Sequence, residues 1–236
     1  IYPSFNMTKR FNNLDNINGN LSLNSSGFIK NYNTNVYEAV EVNNLVYDLN
    51  SKYTESGFKN NSTIMLKNVN TDSQKSKNYK DTTDFKLYSI LEHNISYPLK
   101  KLSNKSTEIL KPKISLKYSP NENKNLADKD RRIDVNNIFN LERLGLNDAV
   151  EGGMSITYGL DYLRTNENDR EIFGARIANI FRLDEDKNLP RNSSLGQKTS
   201  NIVGDFRFNP IENLNINYDF SIPTNTNNPW SICPVI

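Results

Sequence analysis

The sequence lacks the residues from which most disulfides and metal sites are built. It has a single cysteine, Cys233, so no internal disulfide can form and no cysteine-based metal site can be assembled. Its only histidine is His93, which excludes the usual zinc ligand sets. The 29 lysines and arginines nearly balance the 27 aspartates and glutamates, so there is no basic surplus of the kind that binds nucleic acid. We therefore expect no metal, no cofactor and no nucleic-acid partner.

Long apolar runs are absent as well. None approaches the roughly 18 residues of a membrane-spanning helix, so the chain could cross a membrane only as strands. Hydrophobic residues make up 36%, mean hydropathy is −0.70, and about one residue in six is asparagine. The aromatic content of 10% and the net charge of only +2 nevertheless argue against a disordered chain. Because Ile1 is preceded by no initiator methionine or signal sequence, we expect an internal part of a longer exported precursor.

The apolar residues that are present alternate with polar ones. In Leu214–Ile222 every second residue is apolar or aromatic, which predicts a β-strand with one apolar face and one polar face. The same alternation predicts strands at 84–99, 112–120, 152–163, 172–183 and 201–208, and weaker candidates lie at 21–23, 36–42, 45–53 and 64–69. These make about ten strands, and no segment has the period of an amphipathic helix.

The predicted connections differ in length. The segment 209–213 is a short turn, whereas 119–132, 164–171 and 184–200 are long and charged. Short turns at one end of a sheet and long loops at the other are typical of membrane barrels, although an alternating strand suits a soluble sandwich equally well. We predict an all-β fold, in which residues 1–222 form an antiparallel curved sheet that is part of a transmembrane outer-membrane β-barrel. Residues 223–236 break the pattern and form a tail of uncertain origin.

The alternation assigns side chains to two faces. The predicted lipid-facing residues are Met154, Ile156, Tyr158, Leu160, Tyr162, Phe206, Phe208, Leu214, Ile216, Tyr218 and Phe220. The predicted lumen-facing residues are Lys113, Lys117, Ser155, Thr157, Asp161, Arg176, Asp205, Arg207, Asn215, Asn217 and Asp219.

No residues assemble a catalytic site in this reading. His93 follows Glu92, but neighbours in a strand point to opposite faces, so Glu92 cannot orient the imidazole as a general base. The acidic stretch 184–188 lacks the glycine and the distant glutamate of a calcium-binding loop and is expected to be a solvated loop. Gly152 and Gly153 are expected to allow a bend where a strand begins.

A local basic cluster consists of Lys111, Lys113 and Lys117. A solvated face is the simpler interpretation of these lysines. The alternative is that they meet an anionic ligand or partner inside a lumen.

The stretch 133–162 resembles the barrel domain of the lipopolysaccharide-assembly family LptD. The matching features are Asp134, the triplet 137–139, Arg143, the turn 145–148, the Val-Glu-Gly-Gly motif 150–153 and Tyr158-Gly159. Ala149 departs from the arginine that the family commonly has there. The segments 1–11, 108–120 and 200–220 are also similar to family strands, so the resemblance extends over 1–222.

The resemblance implies a function that composition does not show. Members of the family form the outer-membrane translocon of Gram-negative bacteria, which inserts lipopolysaccharide into the outer leaflet and is not an enzyme. The implied partners are lipopolysaccharide, outer-membrane lipid, an LptE-like lipoprotein plug, and the periplasmic Lpt bridge through a domain that this sequence does not contain. The implied location is the cell outer membrane, and no lateral-gate residue can be assigned.

Two other functions remain open from the residues alone. One is another outer-membrane barrel, such as a porin or a solute transporter, which would share the wall and differ in cargo. The other is an asparagine-rich soluble or surface-exposed β-sandwich that acts as a binding module.

Overall fold

The computed structural model describes residues 3–11, 18–32, 35–224 and 233–234. Its strands are β1 Ser4–Phe11, β2 Gly19–Tyr32, β3 Val36–Leu49, β4 Lys52–Tyr53, β5 Lys59–Gln74, β6 Asp84–Ser96, β7 Leu99–Ser103, β8 Ser106–Ser119, β9 Gly153–Asn166, β10 Glu171–Arg182, β11 Ile202–Ile211, β12 Leu214–Ile222 and β13 Cys233–Pro234. The only helical element among these residues is a short 3-10 turn, Arg191–Ser193. None of the described helical residues forms a helix long and apolar enough to cross a membrane.

All the strands belong to one antiparallel sheet. Its order is β1-β2-β3-β5-β6-β8-β9-β10-β11-β12-β13, with β4 paired to β5 and β7 paired to β8. Within the described residues β1 and β13 do not pair with each other, so the sheet is open. This confirms the predicted fold class, an all-β antiparallel sheet of the kind that forms part of a curved barrel wall.

The predicted strand 84–99 is interrupted. β6 ends at Ser96 and β7 begins at Leu99, with Pro98 between them. Proline has no N–H to donate to a ladder, so the pairing cannot continue through this position. As a result β8 pairs with β7 along its first half and with β6 along its second half.

The prediction of a long loop at 164–171 is wrong. β9 continues to Asn166 and β10 begins at Glu171, so only residues 167–170 connect them. The Asn166 side chain closes this turn by accepting hydrogen bonds from the backbone N–H groups of Asn168 (3.0 Å) and Arg170 (2.9 Å). Charge was therefore a poor indicator of a loop here, because charged residues at strand ends can reach water.

The other two long connections are confirmed and leave the same end of the sheet. Residues 120–152 join β8 to β9, and residues 183–201 join β10 to β11. We call residues 120–152 the insert, and the end of the sheet from which it departs the long-loop end. The connection 75–83 between β5 and β6 lies at this end too, whereas the turns 167–170 and 212–213 lie at the opposite end.

The insert packs onto one face of the sheet and builds the buried core there. One cluster combines Leu126, Ile138 and Leu144 of the insert with Ile180 of β10 and Val203 of β11. A second cluster places Val150 and Leu141 against side chains from three further strands, Val40 and Val42 of β3, Met65 and Val69 of β5, and Tyr88 and Ile90 of β6. The insert therefore packs against the inner side of the sheet over strands from β3 to β11.

The opposite face carries large apolar side chains that no described part of the chain covers. Leu91, Ile114, Tyr158, Ile177 and Ile216 lie on five different strands, and each has between 44% and 48% of its surface exposed. A soluble sandwich would cover such a face with a second layer, and the described residues supply none. We call this the outer face, and the face under the insert the inner face.

Candidate functional site

The predicted lumen-facing residues all lie on the inner face. The register aligns Lys117 with Ser155, Asp161 with Arg176, and Asp205 with Asp219. They fall into three groups: buried residues Lys117, Ser155, Thr157 and Asp205; half-buried residues Lys113, Asp161, Arg176 and Arg207; and exposed residues Asn215, Asn217 and Asp219 of β12. That they meet an aqueous lumen stays a prediction.

A single buried carboxylate, Glu151, organises the first group. Its Oε1 accepts hydrogen bonds from Arg182 Nη1 (2.7 Å) and Arg143 Nη2 (3.0 Å). Its Oε2 accepts from Arg143 Nε (2.9 Å) and Lys117 Nζ (3.2 Å). The side chains of all four residues are at most 3% exposed. We call these four residues the Glu151 cluster; such charge-assisted bonds are stronger than those between neutral groups.

The arginines of the Glu151 cluster also fasten the insert to the sheet. Arg143, which belongs to the insert, donates to Thr157 Oγ1 (2.9 Å) and Ser155 Oγ (2.7 Å) on β9. Arg182 on β10 donates from Nη2 to the backbone oxygen of Gly152 (2.7 Å). The polar strand residues predicted to face water are thus hydrogen-bonded to the chain's own insert.

The expectation of a solvated lysine cluster is wrong for Lys117. Its side chain is buried, and its ammonium group donates both to Glu151 and to the backbone oxygen of Leu141. Lys113 is paired as well, with its Nζ 2.9 Å from an Asp161 oxygen and 4.1 Å from the centre of the Phe139 ring. These lysines find their anionic partners within the chain.

Glu151 remains ionised despite its burial. Burial alone would raise the pKa of this carboxyl group, but the charges of Arg143, Lys117 and Arg182 outweigh it and bring the pKa down to about 2. Glu151 therefore carries its negative charge at any physiological pH.

The two glycines after Glu151 have distinct roles where β9 begins. A Cβ on Gly152 would lie 2.0 Å from the backbone oxygen of Asn121, so no other residue fits there without a shift of the backbone. Gly153 has a φ of +87°, in the region that glycine alone adopts readily. Both positions therefore require glycine where β9 begins, and the bend expected there stays a prediction.

Lys67 and Glu142 form a second anchor of the insert. Lys67, on the inner face of β5, is fully buried and ion-paired with Glu142, which belongs to the insert. Sequence reasoning missed both residues. The available signal was the alternation of 63–71, which places Lys67 on the same face as the buried Met65 and Val69.

Salt bridges continue along the inner face toward the end of the sheet that carries the turns 167–170 and 212–213. Arg176 donates to both carboxylate oxygens of Asp205, at 2.8 and 2.6 Å, and its Nη2 reaches the side-chain oxygen of Asn136 in the insert (3.0 Å). Arg207 contacts Glu171 at 3.2 Å. Arg176 and Arg207 are thus each ion-paired with a carboxylate on an adjacent strand.

The predicted lipid-facing residues all lie on the outer face. Neighbouring strands bring several of them together, and the ring centres of Phe206 and Tyr218 are 5.1 Å apart. Exposure is 42% for Met154, 48% for Tyr158 and 40% for Phe208. Their contact with lipid stays a prediction.

Toward the long-loop end the outer face of β3 and β5 becomes polar. Beyond the paired Leu45 and Leu66, the Asn43 side chain donates to Asn68 Oδ1 (3.2 Å). One step further along the register, Asn70 donates to Glu41 Oε2 (3.3 Å). Ser25 on β2 extends the row by donating to Asn43 Oδ1. On β3 and β5 the apolar row therefore ends in a hydrogen-bonded polar border, whereas on β6 it continues through the exposed Leu87 and Phe85, which pair with Asn68 and Asn70.

The residues considered for catalysis are placed apart. His93 lies on the outer face, where its Nδ1 is 2.7 Å from Ser62 Oγ, and Glu92 lies on the inner face. Asp186, in the stretch 184–188, accepts hydrogen bonds from the Asn188 backbone (2.8 Å) and from the Asn123 side chain. Neither group forms a catalytic arrangement among the described residues.

A sheet with a bare apolar face, a charged inner face and an insert bound across it defines a section of barrel wall. The family model LptD, described as LPS transport system D, matches residues 24–228. The chain belongs to this family, which confirms the resemblance seen at 133–162. The match contains the segments 108–120 and 200–220 and leaves out 1–11. No curated protein matches the chain.

Family membership gives the chain a role in lipopolysaccharide transport and assembly. The family is an outer-membrane family that takes lipopolysaccharide as its substrate, and it is not a known enzyme family.

Proposed function

We propose that the chain forms part of the wall of the outer-membrane translocon that inserts lipopolysaccharide into the outer leaflet. The observation that carries the proposal is the contrast between the two faces of one sheet. The outer face presents uncovered apolar rows, and the inner face presents paired charges, hydroxyl groups and amides. A cargo with an anionic head and apolar chains needs both kinds of surface next to each other.

In this proposal the outer face meets acyl chains over the apolar rows and ends at the polar border on β3 and β5. That border lies toward the long-loop end, and long loops of outer-membrane barrels are extracellular. The polar border would then lie at the head-group level of the outer leaflet.

The insert limits the part of the inner face that an aqueous passage for the cargo could run along. It covers β3 to β11, so the aqueous passage would run over the inner surface that remains open. The open surface includes β12 with Asn215, Asn217 and Asp219, and also β1, whose inward residues from Ser4 to Arg10 are exposed. We propose these edges as the contact surface for an LptE-like lipoprotein plug.

Partnership with the periplasmic Lpt bridge rests on the family alone. The division of the chain at residue 222 rests on the strand pattern, whereas the family match continues to residue 228. Residues 1–222 would form the wall and 223–236 a separate tail; most of that tail lies outside the described residues, although Cys233–Pro234 pair with β12.

A pair of substitutions on β12 tests which face meets lipid. Ile216 is on the outer face and Asn217 on the inner face of one strand, and both are exposed. In the full-length protein, Ile216→Asp places a carboxylate against acyl chains, so we expect loss of the heat-modifiable folded band on electrophoresis and less surface lipopolysaccharide. Asn217→Asp is the matched control for the folded band, which should form normally because the new carboxylate faces Arg207 across the strand pair. Surface lipopolysaccharide is compared only between Ile216→Asp and the parent protein, because Asn217 lies in the proposed plug contact.

Equal assembly of the two variants in membranes would contradict lipid contact on the outer face. Recovery of the unsubstituted protein in the soluble fraction without detergent would instead favour the β-sandwich module.

A further inference from the structure

A cavity of about 330 Å³ opens at the long-loop end of the inner face. Its wall combines the ends of β5 and β6, the connection 75–83, and two insert residues, Lys124 and Asp148. The volume falls within the roughly 300–1,000 Å³ of small-molecule sites. It is larger than a bare phosphate ion needs and suits a phosphorylated sugar.

The connection 75–83 is held in shape by the chain itself. The buried carboxylate of Glu38 accepts hydrogen bonds from Ser76 Oγ (2.6 Å) and from the Asn78 side chain (3.3 Å). Ser76 Oγ in turn accepts the backbone N–H groups of Asn78 (3.0 Å) and Tyr79 (3.2 Å). Hydrogen bonds within the chain therefore fix this part of the cavity wall.

The lining of the cavity carries a surplus of two positive charges, from four lysines and two aspartates. Lys124 is paired with Asp148 at 2.8 Å, and Lys86 is near Asp84 at 3.5 Å. Lys77 and Lys80 are exposed, and neither has an ion-pair partner within the described part of the chain. A doubly charged anion would match this surplus.

Asp148 of the insert stays ionised, and the paired Lys124 balances its charge. Burial tends to raise the pKa of Asp148, but the hydrogen bond and charge of Lys124 and the hydrogen bond from Tyr79 outweigh it and lower the pKa. Burial raises the pKa of the Tyr79 phenol, and the Asp148 charge raises it further, so the phenol keeps its proton.

We propose that this cavity binds a phosphate-bearing group, with Lys77 and Lys80 as the residues that neutralise it. Lysine is a common phosphate ligand, and the neighbouring Thr71 and Asn78 supply further donors. The site follows from the cavity and its charges. Only the identity of its natural occupant, the phosphorylated head group of a lipopolysaccharide rather than free phosphate, rests on the proposed function.

Protection of lysines from acylation tests the site in the full-length protein in nonionic detergent. We expect inorganic pyrophosphate to slow acylation of Lys77 and Lys80 about fivefold or more, measured by peptide mass spectrometry. Lys100 and Lys101, on β7 at the opposite end, are the internal control and should react at an unchanged rate. Equal protection of both pairs, or of neither, would overturn the site.

Titration calorimetry with glucose 1-phosphate gives the matched variant test. Lys77→Gln with Lys80→Gln should weaken binding by about tenfold or more, because two charge-assisted contacts are lost. Lys100→Gln with Lys101→Gln makes the same change in net charge at the other end and should leave binding within about twofold of the parent protein. Equal weakening by the two double variants would show nonspecific attraction and contradict the proposal.

Lipopolysaccharide and its enzymatically dephosphorylated form distinguish the two sources of phosphate. Protection of Lys77 and Lys80 by the first and not by the second supports a lipid head group as occupant. Protection by pyrophosphate but by neither lipid supports the phosphate site and overturns its assignment to cargo, while the transport function stands or falls with the β12 variants.

Discussion

Replacing Glu151 by glutamine removes one negative charge and leaves the three cations of the Glu151 cluster buried without a counter-charge. Loss of one partner from a buried ion pair costs roughly 3–5 kcal/mol. The pKa gives an independent figure: a carboxyl group whose pKa falls from 4.5 to about 2 on folding contributes on the order of 3 kcal/mol at neutral pH. We therefore expect Glu151→Gln to release the insert from β8, β9 and β10.

Hydrogen exchange of the full-length protein, read by mass spectrometry, measures this release. Peptides from 133–152 should exchange at least tenfold faster in Glu151→Gln. Glu122→Gln is the matched control, because Glu122 belongs to the same insert but is exposed. In the double variant Glu151→Gln with Lys117→Met, part of the protection should return, since one of the uncompensated cations is gone.

The same carboxylate sets a pH dependence. Its folded pKa lies below the unfolded value of 4.5, so the unfolded state binds more protons between these values and stability rises with pH there. The contribution is complete above about pH 4.5 and is lost as the pH falls toward about 2. Two results together would refute this role of Glu151. The insert would be equally protected from hydrogen exchange in Glu151→Gln and Glu122→Gln, and its protection in the parent protein would be the same at pH 7 and pH 3.

Two further predictions concern the geometry of the inner face. Gly152→Ala should prevent the insert from docking, since its Cβ would lie 2.0 Å from a backbone oxygen; Gly145→Ala, with φ +58° and no atom within 4 Å of the new Cβ, should cost only about 1 kcal/mol. Limited proteolysis at 120–152 would compare the two, and equal cleavage would contradict the steric argument. Asp205→Asn should lower stability by about 1–3 kcal/mol in chemical unfolding, because Arg176 loses a bidentate partner; the exposed Asp219→Asn should change little, and equal losses would argue against a specific role of the pair.

Alternation predicted β9 to β12 and their faces, but it did not predict β1, and it divided the continuous β3 into the two candidates 36–42 and 45–53. In β9 and β12, bulky residues recur at every second position, and this alternation assigns them to one face of the sheet. The register extends the assignment to neighbouring strands, because paired residues such as Phe206 and Tyr218 lie on the same face. A shift of one residue would exchange the two faces of a strand, which is why local pattern and sheet geometry agree here.

The packing of the insert could not be predicted from its pattern. Its buried apolar residues, among them Leu126, Ile133 and Leu144, have neither a strand nor a helix period, and polar residues separate them. Their burial depends on contacts with strands distant in sequence. The Val-Glu-Gly-Gly motif marked the position of Glu151, but not the three cations that reach it from β8, β10 and residue 143.

Charged residues were misread for a related reason. Lys67 and Lys117 are as polar as any surface lysine, and only the insert, which brings Glu142 and Glu151 to them, allows their burial. Such a partner from a separate segment leaves no local signal in the sequence.

In the proposed function the apolar rows of the sheet meet acyl chains and the polar rows meet water. Spin labels placed singly along Leu214–Ile222 of the full-length protein in bilayers, with Cys233 replaced by serine, test it most directly. We predict that labels at Leu214, Ile216, Tyr218 and Phe220 collide preferentially with dissolved oxygen, and labels at Asn215, Asn217 and Asp219 with a water-soluble nickel chelate. Collision rates without this period of two, or with its phase reversed, would contradict the claim.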